Sequence, residues 1–152
     1  RSKTTPSKGR TQLKSNIFLG TKRRFPAAGF LLITFLLGGI GYGLLEVIWR
    51  GYTHPSMIFT GGFCLVVIWF LNRRMLQTPL LFRCLLCTAF VTTTEFFVGL
   101  LVNRILHLHV WDYSASKFNL LGQICLEFSL IWFLICFLLS LGMTIAFRRE
   151  KI

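Results

Sequence analysis

Three of the five acidic residues in this chain, Glu46, Glu95 and Glu127, sit inside long apolar runs. A carboxylate in that setting costs a few kcal/mol on insertion scales, so it faces a partner, a cavity or a bound proton rather than hydrocarbon. Helical spacing supplies the candidate partners. Tyr42, Glu46 and Arg50 recur every four residues and share one face. Thr92, Glu95, Gly99 and Asn103 form a second stripe, and Asn119, Gln123 and Glu127 a third. Two readings fit three stripes that meet at one level. One is a polar pocket for a substrate or ion, in which Arg50, Arg104, Asn103, Asn119 and Gln123 set the carboxylate charge. Trp111, Asp112 and Tyr113 would then form its rim. The other is a set of hydrogen bonds and ion pairs that bridge helices.

Other chemistries have thinner support. His107, His109 and Asp112, with His54, could ligate a metal, but a His-x-His pair with one carboxylate is a sparse ligand set. Interfacial residues beside Trp111 and Tyr113 anchors account for the same segment. Ser114 and Ser116 lack the strand, elbow and triad spacing of a hydrolase. Cys84-x-x-Cys87 resembles a redox pair, yet all five cysteines lie in apolar runs and their number is odd, so they read as small packing residues. No Walker motif or Gly-rich nucleotide loop occurs, so the chain does not itself hydrolyse ATP. No metal or cofactor is expected.

The elements that must hold these residues follow from composition. Of 152 residues 54% are hydrophobic and 14% charged. A soluble domain carries roughly a quarter charged residues, so the chain reads as bilayer-embedded. Four apolar runs, 25–49, 56–71, 79–102 and 120–147, predict an all-α, polytopic bundle of about four transmembrane helices. The second run is short and must borrow flanking residues, thin the bilayer or pack inside the bundle. Gly39-x-x-x-Gly43 in the first run and Gly61-Gly62 in the second predict close helix packing. Arg83, near the start of the third run, is placed to snorkel to the interface.

The net charge of +12 is clustered. Eight of the 17 basic residues precede Phe25, in a polar segment 1–24 that reads as a flexible tail drawn to anionic lipid. With that tail in the cytoplasm, fourteen basic residues lie inside, and Arg50, Arg104 and Lys117 lie outside. The positive-inside rule therefore puts both termini of the 25–152 membrane domain in the cytoplasm, in a multi-pass protein of the cell membrane. Basic residues confined to membrane edges, with no basic face bearing stacked aromatics, exclude a nucleic-acid binder.

Several stretches carry a resemblance. Val110-Trp111-Asp112-Tyr113-Ser114 followed by Phe118-Asn119-Leu120-Leu121-Gly122-Gln123-Ile124-Cys125-Leu126 resembles the signature of the ABC-transporter type IV (CmpB-type) family of small bacterial membrane proteins. Glu46 with Trp49-Arg50-Gly51-Tyr52-Thr53-His54, Gly61-Gly62, and Glu95-Phe96 with Gly99 and Asn103 are similar to its members too. The resemblance spans Gly43 to Trp132. It departs at Glu127, where the family commonly carries a non-acidic residue, often Pro. It implies a permease-like component of a bacterial inner membrane. Four spans are few for a complete carrier, so copies of itself or other membrane subunits would complete the path for a small-molecule or lipid ligand. The alternatives are a membrane enzyme acting on a lipid or lipid-linked substrate, with His107 or His109 moving protons, and a non-catalytic accessory or scaffold subunit.

Overall fold

The computed structural model describes residues 28–149. The basic tail 1–24, the start of the first run at Phe25 and the chain end at 150–152 lie outside the described residues. Among the described residues four helices are long and apolar enough to cross a membrane. They are α1 (Ala28–Arg50), α2 (Pro55–Arg74), α3 (Leu80–Gly99) and α4 (Leu126–Arg149), and α3 continues into a wide π-turn over Leu100–Ile105.

The second run does borrow its flanks. Pro55 fits the first helical turn, where its missing N–H costs nothing, and His54 caps the helix by accepting the Ser56 amide on Nδ1. At the other end Asn72, Arg73 and Arg74 extend the helix past Leu71. α2 has the lowest mean hydropathy of the four spans, 1.6, and the largest buried share. The two facts belong together. α2 packs on α1, α3 and α4, so its polar residues meet protein rather than lipid.

The α1–α2 crossing is a backbone contact. A Cβ on Gly39 would stand 2.7 Å from the Ile58 carbonyl oxygen, and one on Gly62 would stand 2.6 Å from that of Phe35. Only hydrogen fits at those points, which is how small residues bring two spans together without a hydrophobic drive between them. Deeper in the bundle Cys64, Ile68, Cys87, Val91 and Cys136 form an apolar centre, with all five cysteines buried as free thiols. Leucine, isoleucine and phenylalanine side chains cover the outer faces of the helices.

Two expectations change here. The fourth helix starts at Leu126, not Leu120. Asn119–Leu120 and Ile124–Cys125 instead pair as a short antiparallel β1–β2 hairpin, with Leu120 opposite Ile124. Its turn has positive φ at both Leu121 (53°) and Gly122 (70°) and is closed by the Gln123 amide on the Leu120 carbonyl at 3.0 Å. That is the primed turn that matches strand twist. A Cβ on Gly122 would also lie 2.5 Å from Ser114 Oγ, so glycine is required there on two counts. The third polar stripe therefore does not exist as a helical stripe.

Arg83 does not snorkel either. It is 2% exposed and points into the bundle at the end carrying Arg73, Arg74, Arg148 and Arg149. Its guanidinium donates to Asn72 Oδ1 of α2 (3.2 Å) and Thr144 Oγ1 of α4 (2.8 Å), while its Nε has no partner. Two neutral oxygens answer this guanidinium. Asn72 Nδ2 and the Thr144 hydroxyl donate to backbone carbonyls of their own, those of Ile68 and Ser140, so losing Arg83 would leave one neutral oxygen, Asn72 Oδ1, without a donor. Losing the charge is therefore milder than losing its acceptor. Arg83→Met should leave thermal stability in detergent within about 1 kcal/mol, whereas Asn72→Leu, which strands a buried charge, should cost about 3 kcal/mol. The order of the two Tm values checks this.

Candidate functional site

At the opposite end of the bundle the polar residues fall into two groups. The first gathers around α1. Glu46 is 7% exposed and forms an ion pair with Arg50 one turn along the same helix. Its second oxygen accepts the Thr53 hydroxyl at 2.6 Å. Arg50 also donates to the Val110 carbonyl at 2.8 Å, which ties the long 106–125 connection to α1. From α3, Glu95 comes in beside this group, also 7% exposed, and accepts the Tyr42 hydroxyl. The Trp132 indole of α4 reaches the same carboxyl and stacks on Tyr42 with ring centres 5.1 Å apart. Glu95 has no ion-pair partner among the described residues.

The second group is a clasp. The Asn103 side chain faces inward from the π-turn, accepts the Val110 and Trp111 amides (2.7 and 3.4 Å) on Oδ1, and donates to Gln123 Oε1 at 2.9 Å. Trp111, 6% exposed, donates its indole N–H to the Gln123 carbonyl at 2.8 Å, and Gln123 Nε2 donates to the Leu121 carbonyl at 3.0 Å. Gly99 makes room for both, since a Cβ there would stand 2.6 Å from Gln123 Oε1 and 2.9 Å from the Trp111 ring. Each amide side chain in this clasp is satisfied within the protein, so it positions the connection rather than offering free donors.

The remaining sequence candidates lie around these groups. Tyr113 is half-buried, stacks on Phe128 at 4.7 Å, and its phenol is pushed up by burial and by the nearby Glu95 carboxyl. Asp112 is exposed and caps the turn by accepting the Ser114 amide (2.8 Å) and hydroxyl (2.5 Å), which holds its carboxyl below the usual range. Asn119 braces the hairpin through the Gly122 amide at 3.0 Å, and exposed Arg104 donates to the Leu121 carbonyl at 3.4 Å. Glu127 does not join the pocket. It is exposed in the first turn of α4, where a negative charge suits the helix dipole. Among the described residues no group of three or more His, Cys, Asp or Glu side chains could hold a metal.

A cleft runs past the first group. Its end near the connection, about 110 Å³, is lined by Tyr42, Glu46, Arg50, Tyr113, Phe128 and Trp132, among others. Trp132 was passed over in the sequence because an aromatic in an apolar run carries no signal of its own.

Four bilayer-length helices and an ion pair and carboxyl held within them define a helical membrane protein with a polar group recessed in its bundle. The family model described as "Putative ABC-transporter type IV" matches residues 21–150, and the chain belongs to that family. No solved structure matches the chain.

Two outcomes follow from this geometry. Asn103→Leu leaves the Val110 amide and Gln123 Oε1 unanswered, and should lower stability by about 1–3 kcal/mol in a thermal melt. Ser114→Ala removes one of the bonds that lower the Asp112 carboxyl, so its titration midpoint should rise in an NMR pH series. In the wild type, any stabilisation from that carboxyl is present above its unfolded pKa and lost as pH falls through the folded value.

Proposed function

We propose that this protein is a permease-like, membrane-embedded component of a transport system, multi-pass in the bacterial inner membrane, with both termini in the cytoplasm. Fourteen of 17 basic residues fall on the cytoplasmic side in that orientation. The Glu46–Arg50 end of the cleft then opens toward the outer half of the bilayer. The basic tail meets anionic lipid on the inner face. Copies of this chain or other membrane subunits complete the path, because four helices are few to enclose one.

Glu46, Arg50 and Glu95 form the substrate pocket, with Tyr42 and Tyr113 beside them. Asn103, Gln123 and Trp111 hold the connection over it, and Asp112, Asn119 and Arg104 shape its rim. The observation that carries this reading is Glu95. Its carboxyl is buried within a span, is held by the Tyr42 phenol, and forms no ion pair among the described residues, the nearby Arg50 guanidinium being paired with Glu46 instead. A structural ion pair would have brought a cation along; an ionisable group kept without one marks a place where a ligand or proton is exchanged.

Native mass spectrometry of the gently extracted protein, wild type beside Glu95→Gln, tests it. The wild type should carry a small molecule or lipid that the variant loses about tenfold or more, with helical content unchanged by circular dichroism. A ligand-free wild type that brings a second protein chain with it would instead make this a scaffold subunit.

A further inference from the structure

The cleft has a second arm that the polar pocket leaves unused. From Tyr42 and Trp132 it continues away from the connection as a trough of about 340 Å³, walled by Leu37, Leu65, Ile68, Ile135 and Leu139 among others. The two arms share Tyr42, Leu45, Trp132 and Ile135, so they adjoin at these residues along the seam between α1 and α4. Aromatic contact across that seam is made by two pairs, Tyr42–Trp132 and Trp49–Phe128. Elsewhere α1 leans on α2. Gly41 lines the trough, and a Cβ there would meet nothing within 4 Å. Leu37 and Leu45, also lining it, are 61% and 47% exposed. The trough therefore opens sideways, between two membrane spans, onto hydrocarbon.

Its dimensions and chemistry suit one kind of occupant. From Leu37 to Arg50 along α1 is roughly 20 Å, somewhat more than half of a ~30 Å hydrocarbon core, so the space reaches about one leaflet deep. Its long arm offers apolar contact and its short arm offers charge of both signs, the Arg50 guanidinium and the Glu46 carboxyl. A purely anionic head would meet the Glu46 carboxyl, and a purely cationic one would meet the guanidinium. A head that carries both a phosphate and an ammonium group answers each.

We propose that the α1–α4 seam is a lipid site, which seats one hydrocarbon chain of a zwitterionic phospholipid in the trough and its head at the Glu46–Arg50 pair. This names the substrate class for the pocket proposed above and rests on that reading. The lipid enters from the leaflet at the connection end of the bundle, through the open side beside Gly41, without passing through the packed centre.

The test uses the full chain in nanodiscs made of equal parts phosphatidylethanolamine and phosphatidylglycerol with identical acyl chains, released into native mass spectrometry. The wild type should retain one phosphatidylethanolamine. Gly41→Leu, which fills the trough from a position with open space and improves helix propensity, should weaken that retention about tenfold or more. Ile135→Trp, filling it from the opposite wall, should do the same, and Gly29→Leu, on an exposed face with open space around it, should not. Retention unchanged in both trough variants but lost in Glu95→Gln would overturn the lipid seat and leave the polar pocket standing. Loss in the trough variants with retention in Glu95→Gln would keep the chain seat and remove the pocket reading. Retention in all variants would remove both, and preferred retention of phosphatidylglycerol would overturn the zwitterionic head.

Discussion

Ionisable groups inside an apolar slab must be answered by protein, and the arrangement of this bundle follows from how few answers the chain supplies. Glu46 takes a cation from its own helix, one turn away, and spends that cation's second face on the Val110 carbonyl. Arg83 takes no carboxylate; a carboxamide and a hydroxyl from two neighbouring helices stand in. Glu95 takes a phenol. Each solution reaches across elements, so the three groups fix the relations among helices that hydrocarbon alone, being as apolar inside as outside, leaves undetermined.

The two ends of the bundle use this differently. At the end bearing Arg73 and Arg148, the Arg83 cluster is enclosed by α2, α3 and α4. At the other end Glu46 borders an open cleft, and the connection beside it is held by the Asn103 clasp. The family assignment, to a group described by a transporter label, agrees with a membrane protein of this kind.

Much of this was legible in the residues. Four runs of apolar sequence gave four spanning helices, because length and hydropathy alone decide that matter in a bilayer. The glycine pairs of the first two runs announced a close crossing, and Tyr42, Glu46 and Arg50 do share a face. What periodicity could not see was where the last helix begins. Leu120, Leu121, Ile124, Cys125 and Leu126 extend an apolar run without a break, and the turn inside it is signalled by Asn119 and Gly122 alone. That misplaced start turned three loop and cap residues into an imagined stripe, and put Glu127 in a pocket it does not reach. Arg83 was misplaced for another reason: spacing near a helix end cannot tell a side chain that bends outward from one that bends inward, and the choice rests on Asn72 and Thr144, eleven and 61 residues away.

The short 51–54 link between α1 and α2 has a bearing on how the protein is made. α2 is the least apolar span and the one with most of its surface against protein. Emerging from the ribosome by itself, it would be the poorest candidate to leave a translocon for lipid. Joined by four residues to a strongly apolar partner whose glycines already match its own, it can enter the bilayer as half of a preassembled hairpin. The close backbone crossing would then be the earliest tertiary contact of the nascent chain, formed before the later helices that bring Glu95 and Trp132 have been synthesised.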